Sequence, residues 1–137
     1  HYIYLIKHFK EEKMIDKDDN PIFLNDFLDY SLTILNKSPN SIKEYNYDIA
    51  HFLKFIKHRF RLAKVDIKEI KTISIDDMDL DIIKKITIED IHAFLAYLKN
   101  NFNSQATTLA RKASSIRIFF HYLCNKSKIK VKKLICK

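Results

Sequence analysis

The chain has 137 residues, which is enough for one domain with a hydrophobic core and too few for two full domains. It contains no glycine, although average usage of roughly 7% would give about ten. Gly-rich phosphate loops, dinucleotide-binding fingerprints and nucleophile elbows are excluded, because each needs glycine where the backbone turns tightly. The missing glycine also disfavours the tight hairpins of an all-β fold, and the composition therefore predicts an all-α protein.

Positive charge is concentrated toward the end of the chain. The formal net charge is +8, yet residues 91–137 carry ten Lys or Arg residues and no Asp or Glu, whereas residues 66–90 carry eight acidic and four basic residues. A basic stretch without internal counter-charges predicts a polyanionic partner, with nucleic acid as the first interpretation and an anionic membrane surface as the second. A solvated basic surface that serves only solubility is the third interpretation.

The predicted elements begin with a short N-terminal helical extension over residues 1–20, which comprises a helix at residues 2–14 and a loop at residues 16–20. A first core helix follows from Pro21 to Asn36, because apolar residues repeat there with a period near 3.6. Its predicted core positions are Leu24, Phe27, Leu28, Leu32 and Leu35.

A second helix begins at Ser38, since a capping residue followed by a proline, here Pro39, is a typical helix start. One face of this helix is apolar and is predicted to be buried, at Ile42, Tyr45, Ile49, Phe52, Leu53, Ile56 and Phe60. The opposite face carries a basic stripe that includes one aromatic residue, at Lys43, Tyr47, Ala50, Lys54 and His58.

Residues 62–86 are acidic and irregular, and we expect a connection with one helical turn. Thr87 is the predicted cap of a third helix that ends near Asn101 and buries Ile91, Phe94, Leu95 and Leu98. A fourth helix over residues 106–125 has an inner face of Leu109, Ala113, Ile116, Phe120 and Leu123. Its outer face carries Thr107, Arg111, Ser114, Arg117 and His121. The tail, residues 126–137, contains six lysines and is predicted to be a short helix or a linker.

The second and fourth predicted helices both present basic faces with hydroxyl side chains. An α-helix fits the major groove of duplex DNA, where Arg bonds guanine edges while Ser, Thr and Lys reach phosphates. The two helix N-termini add backbone amides that suit phosphate, near Ser38, Asn40 and Ser41 in one helix and near Gln105 and Thr107 in the other. The pattern therefore predicts a duplex-binding surface.

Three runs of the sequence resemble motifs of one family. Residues 38–49 (SPNSIKEYNYDI) are similar to the opening S-x-x-T-hydrophobic-x-x-Y-x-x-D-L of tyrosine recombinases, and residues 107–123 (TTLARKASSIRIFFHYL) are similar to their T-x-x-x-R-K-L-S-A-L-R-x-F-F-x-Y-L helix. Residues 86–91 (ITIEDI) match the usual entry to the helix between these motifs. Over about residues 21–125, the chain resembles the N-terminal core-binding, SAM-like domain of phage-integrase and Xer-type site-specific recombinases.

This resemblance implies an all-α bundle of four to five helices that clamps a recombination site through the major groove, while a separate catalytic domain exchanges the strands. The implied segments are an extension at residues 1–20, a core-binding domain at residues 21–125 and a basic linker at residues 126–137. The implied partners are double-stranded DNA and other recombinase protomers, in a tetramer on paired sites. Carried over by motif, with Lys54 added from the basic stripe, the predicted DNA contacts are Ser41, Lys43, Tyr47, Lys54, Thr107, Arg111, Lys112, Ser114 and Arg117.

We expect no catalytic site, metal or cofactor within this chain. Residues 58–61 (HRFR) read as H-x-x-R, a motif of the family's catalytic domain, but that pattern needs an upstream arginine and none precedes Arg59. Cys124 and Cys136 lack C-x-x-C spacing, and with His121 they still lack a fourth ligand, so we expect reduced thiols and no zinc site. Because no run of about 18 apolar residues is present, we expect no membrane span. The expected reduced thiols indicate a cytoplasmic location, and we expect no membrane partner.

Two alternatives from other classes stay open. A helical protein–protein module is one, because SAM-like bundles often self-associate, and Ile118 on the fourth helix suits either a protomer contact or a thymine methyl contact. A free-standing DNA-binding regulator or DNA-bending factor is the other. A series of catalytic residues downstream in the full reading frame would eliminate it.

Overall fold

A computed structural model describes residues 17–125, and within this range the chain contains helices and no strand. The α-helices are α1 (Ile22–Thr33), α2 (Pro39–Arg59), α3 (Leu80–Lys84), α4 (Ile88–Phe102) and α5 (Ala106–Asn125), with a 3₁₀ segment (Ile67–Thr72) between α2 and α3. The all-α prediction is confirmed, and the four predicted core helices correspond to α1, α2, α4 and α5. The predicted helix at residues 2–14 and the basic tail lie outside the described residues, so the three predicted segments stay predictions.

Two helices begin at the capping residues that the sequence indicates. The Ser38 hydroxyl oxygen accepts a hydrogen bond from the backbone N–H of Ser41 at 3.2 Å, with Pro39 in the first turn. Thr87 and Asp90 form a reciprocal capping box, in which the Thr87 N–H donates to the Asp90 carboxylate at 2.8 Å. Each cap satisfies an N–H group that the helix itself cannot pair, which fixes where the helix begins.

Helix α2 lies at the centre of the bundle, where it packs against α1, α4, α5 and the 3₁₀ segment. Phe52 on α2 contacts Phe94 on α4 and Phe120 on α5, with ring centroids 5.2 and 6.2 Å apart. Six of the seven residues predicted to be buried on α2 are buried, and Phe60 at its C-terminal end is half-buried. The apolar stripe therefore identifies the side of α2 that faces the core.

Two core predictions on α1 are wrong, and one residue on α4 is less buried than predicted. Leu32 is 47% exposed because Ser31 takes the buried position in the last turn of α1. Leu35 is 39% exposed because α1 ends at Thr33 and the chain turns through Asn36 in a left-handed conformation with φ of 53°. On α4 the predicted core residue Leu95 is half-buried, whereas its neighbour Tyr97 is buried.

The connection between α2 and α4 is more regular than predicted. It contains both the 3₁₀ segment and α3 rather than one helical turn, and it contributes apolar side chains to the core at Ile70, Ile73, Ile75, Met78, Ile83 and Ile86. Lys57 of α2 forms two hydrogen bonds to this connection. Its Nζ donates to the Ser74 carbonyl at 2.8 Å and to the Asp77 carboxylate at 2.6 Å. The hydrogen bond from Lys57 lowers the pKa of the Asp77 carboxyl below its usual value.

Candidate nucleic-acid interface

A fully buried carboxylate holds α2 and α5 together. Asp48 of α2 accepts hydrogen bonds from Arg111 Nη1 at 2.6 Å, from Lys112 Nζ at 2.8 Å and from Ser115 Oγ at 3.0 Å. Charge-assisted hydrogen bonds of this kind are roughly twice as strong as neutral ones. They fix how the two helices lie side by side, so that their outer faces form one surface.

The outer face of α5 is open to solvent. The five residues predicted for it are all exposed, at Thr107, Arg111, Ser114, Arg117 and His121. The guanidinium of Arg111 bonds to the Asp48 carboxylate and lies 3.7 Å from the exposed Glu44 carboxylate. The Arg111 side chain nevertheless stays 41% exposed. Arg117 forms no ion pair with any residue between 17 and 125 and is therefore the cation of α5 best placed to meet an external partner.

Lys112 lies inside the bundle, although the family motif carried it over as a DNA contact. Its side chain is 8% exposed, and its ammonium stands between the Asp48 carboxylate and the ring of Tyr47, with Nζ 4.9 Å from the ring centroid. The ammonium therefore makes a cation–π contact with the inner face of the Tyr47 ring. Lys112 therefore lies beneath the surface, between Asp48 and Tyr47.

The 3₁₀ segment runs along the basic stripe of α2. Lys54 Nζ donates to the backbone carbonyl of Lys71 at 3.1 Å, and Lys71 Nζ donates to the Tyr47 hydroxyl at 2.8 Å. The Lys71 ammonium also lies 4.8 Å from the ring centroid of Phe102. Tyr47 itself is 52% exposed, whereas Ser41, Lys43 and Lys54 are half-buried. Sequence reasoning missed Lys71, because it belongs to an acidic segment and only the packing brings it to this face.

His51 is a buried histidine beneath Tyr47 that the sequence did not single out. The residue is 4% exposed, and its ring packs edge-on against Phe94, Tyr97 and Phe102. Its Nε2 forms a hydrogen bond with the Tyr97 hydroxyl at 3.0 Å. Burial, followed by the charges of three nearby lysines, lowers the pKa of His51 to about 4, against a small opposing effect of Asp48. The imidazole is therefore neutral at physiological pH. Its Nδ1 has no hydrogen-bond partner among the described residues.

The H-x-x-R run at residues 58–61 serves a structural contact in the described part of the chain. Arg59 Nε donates to the Asp90 carboxylate at 2.6 Å, which links the end of α2 to the capping box of α4. Between residues 17 and 125, no three His, Cys, Asp or Glu residues are grouped so as to hold a metal ion. Cys124 is disulfide-bonded, so the prediction of a reduced thiol at this position is wrong. No helix in the same range is long and apolar enough to cross a membrane.

Comparison with known proteins agrees with this architecture. The family model described as "Phage integrase, N-terminal SAM-like domain" matches residues 23–129. The chain belongs to this family. Among curated proteins, tyrosine recombinase XerC of Caldanaerobacter subterraneus subsp. tengcongensis is 34% identical to it over 133 residues. That match covers 93% of this chain and 37% of the relative, so the chain spans little more than a third of the relative's length. No solved structure matches the chain.

The SAM-like domain shows what several of its motif residues do. Asp48 comes from the motif at residues 38–49, and Arg111, Lys112 and Ser115 come from the motif at residues 107–123. The hydrogen bonds that Arg111, Lys112 and Ser115 donate to Asp48 join the two motifs at the α2–α5 contact. Part of the family resemblance therefore reflects the packing of the two helices rather than contacts with an external partner.

Proposed function

We propose that this chain is the DNA-binding N-terminal domain of a site-specific tyrosine recombinase. It clamps the duplex of a recombination site through the major groove and positions it for strand exchange by a separate catalytic domain. Membership in the SAM-like family and the similarity to a tyrosine recombinase support the recombinase assignment. The observation that carries the DNA-binding role is the joint surface of α2 and α5, which the buried Asp48 holds in one arrangement.

The side chains on this surface divide between base and phosphate contacts. Arg111 and Arg117 project from the exposed face of α5, and Arg is the side chain that most often reads guanine in the major groove. Thr107, Ser114, Ser41 and Lys43 suit phosphate contacts, which position the duplex without reading its sequence. Tyr47 and Lys54 extend the surface along α2, and Lys112 supports it from inside.

The whole recombinase acts, in this proposal, as a tetramer of protomers on paired sites and is cytoplasmic. The tetramer is what the resemblance to the recombinase family implies, and neither property rests on the contacts of this domain. The domain contributes binding and positioning, and the chemistry of DNA cleavage belongs to the catalytic domain.

Arginine variants of α5 test the DNA-binding role. Arg117→Ala and Arg111→Ala are each expected to weaken binding to a labelled duplex by about 1–3 kcal/mol, as measured by fluorescence anisotropy. Arg117→Ala is the cleaner variant, because Arg111 also bonds to Asp48. Lys84→Gln is the control, since it removes one charge from α3, outside the two helices. Circular dichroism checks folding, and unchanged affinity in a folded double variant would contradict α5 as the reading helix.

A protein–protein module is the second candidate function. An apolar cavity of about 300 Å³ opens between the end of α1 and α5, with Leu35, Ile118 and Tyr122 in its lining. The exposed side chains of Leu32 and Ile34 lie at the same end of α1. Self-association of the chain that does not weaken with salt, together with no binding to duplex DNA, would favour this function over the first.

A further inference from the structure

A small pocket opens beside Tyr47, between the N-terminal end of the described chain, α2 and the 3₁₀ segment. Its volume is about 230 Å³, and its polar lining includes Asn20, Asn46, Tyr47, His51, Lys54 and Lys71. Neither the predicted DNA contacts nor the family motifs identify a pocket here. Two of its residues, Tyr47 and Lys54, nevertheless belong to the proposed DNA-binding surface.

The unpaired nitrogen of His51 is assigned as a hydrogen-bond donor from its neighbour Tyr97. Among residues 17–125, the Tyr97 hydroxyl has His51 Nε2 as its only hydrogen-bond partner, and Tyr97 is buried. Burial also raises the pKa of Tyr97, so the phenol keeps its proton. We assign the Tyr97 O–H as the donor and Nε2 as the acceptor, which places the proton of the neutral imidazole on Nδ1. Leaving a buried N–H without a hydrogen-bond acceptor destabilises a protein by about 1–3 kcal/mol. A bound ligand that supplies an acceptor would remove this cost.

The two lysines of the pocket also have donors to spare. The ammonium of Lys54 is hydrogen-bonded to one carbonyl and that of Lys71 to one hydroxyl, whereas a lysine ammonium has three N–H donors. The pocket wall does contain one carboxylate, that of Asp19. Both of its oxygens accept hydrogen bonds from the chain, one from the Ser74 hydroxyl and one from the Ile75 N–H. The two lysine ammoniums of the pocket outnumber its one carboxylate, which gives the pocket an excess of positive charge.

We propose that this pocket binds a phosphate group, with Nδ1–H of His51 and the ammoniums of Lys54 and Lys71 as donors, and that the phosphate belongs to the backbone of bound DNA. The choice of DNA as the source rests on the proposed function. It is supported by Tyr47 and Lys54, which the pocket shares with the DNA-binding surface, and by the exposed position of Lys71. The pocket adds the 3₁₀ segment to the two helices as a third element that grips the duplex.

The first experiment measures how duplex affinity of the full 137-residue chain depends on salt. One phosphate contact contributes about 0.9 to the slope of log affinity against log salt concentration. Lys71→Gln is expected to make the negative slope less steep by about 0.9. The fold loss of affinity between 50 and 200 mM salt should then be about 3.5-fold smaller than for the wild type. Lys68→Gln is the matched control, because Lys68 is exposed on the same segment but does not line the pocket.

The second experiment follows the ring nitrogens of His51 by ¹⁵N NMR. His51 is recognised as the histidine that stays neutral down to a pH near 4. Duplex DNA is expected to shift the protonated Nδ1 resonance in the wild type, and millimolar inorganic phosphate is the probe for a free anion. A sulfate titration serves as a comparison for a general anion effect.

The combined outcomes separate the pocket from the proposed function. A smaller slope for Lys71→Gln but not for Lys68→Gln, with a His51 shift on adding duplex, supports the pocket as a DNA phosphate site. A His51 shift with inorganic phosphate, in a chain that binds no duplex, supports the phosphate pocket and contradicts both the DNA source and the proposed function. The phosphate pocket would be overturned if the two lysine variants gave equal slopes and His51 showed no shift. The proposed function would still stand in that case if Arg117→Ala weakened duplex binding. A chain that shows neither duplex binding nor a His51 shift would overturn both.

Discussion

Asp48→Asn is expected to destabilise the domain by about 3–5 kcal/mol, the usual cost of removing one partner from a buried ion pair. The carboxylate is fully buried and is bonded to two cations and one hydroxyl. Asparagine has nearly the same shape, so the packing is preserved while the negative charge is lost. The Lys112 ammonium, at 8% exposure, is then left buried without a counter-charge, whereas the half-exposed Arg111 can turn toward water. A domain of this size is stable by only about 5–15 kcal/mol, so the loss takes a large share of its stability.

Urea unfolding followed by circular dichroism measures this effect. Glu44→Gln is the matched control, because it removes a carboxylate that stands 3.7 Å from the same arginine but is mostly exposed, and it is expected to cost less than about 1 kcal/mol. In the Asp48→Asn background, Lys112→Met should recover more than about 1 kcal/mol, since it removes the stranded charge. If Asp48→Asn costs no more than Glu44→Gln, the carboxylate does not hold α2 and α5 together, and the reasoning is refuted.

Three further predictions concern stability. His51 has a pKa of about 4 in the folded chain and near 6.5 in the unfolded chain, so the unfolded chain binds more protons between these two pH values. The free energy of unfolding should therefore fall by up to about 3 kcal/mol as the pH drops from 6.5 toward 4. A His51→Gln variant should lack this pH-dependent part when urea midpoints are compared at pH 7 and pH 4.5. Ser38→Ala should cost about 1 kcal/mol in the same assay through loss of the α2 cap, and an effect below a few tenths would mean that the cap contributes nothing. Phe94→Ala should cost about 3–5 kcal/mol, because the ring is fully buried, whereas Leu32→Ala on the exposed end of α1 should stay within about 0.5 kcal/mol; similar costs for the two would contradict the core as described.

The sequence predicted the long helices well because several local signals agree there. On α2 and α5, a cap or turn marks the start, apolar residues repeat with the helical period, and charged residues occupy the opposite face. The end of α1 was harder, because Leu32 and Leu35 continue the apolar pattern up to and beyond the last helical residue. Periodicity shows which side of a helix is apolar, but it does not show where the helix stops.

The candidate site was less predictable, because it depends on contacts between distant segments. Nothing in the spacing of Lys112 shows that its ammonium turns inward to Asp48, which lies on another helix. Lys71 sits in a segment whose composition suggests an acidic loop, yet the packed isoleucines of that segment bring it against Tyr47. His51 likewise lies between the two faces of α2, and only the rings of α4 explain its burial.

The division between structural and contact residues changes how the family motifs are read for this domain. Lys112 and Ser115 both donate hydrogen bonds to Asp48 inside the bundle, so the presence of these three residues in the motifs is explained without DNA. Arg117 and Ser114 occupy the same motif but face solvent. Variants of the first group should lower stability, and variants of the second group should lower DNA affinity while the folded state is kept.

The most direct test of the DNA-binding role is the salt dependence of duplex affinity for the wild-type chain. Fluorescence anisotropy of a labelled duplex, titrated between 50 and 200 mM salt, measures how many counterions binding releases. A surface that contacts about five phosphates should give a slope near −4.5, which corresponds to roughly a 500-fold loss of affinity over that range. No binding at 50 mM salt, or affinity that does not change with salt, would contradict the account of α2 and α5 as a DNA-binding surface.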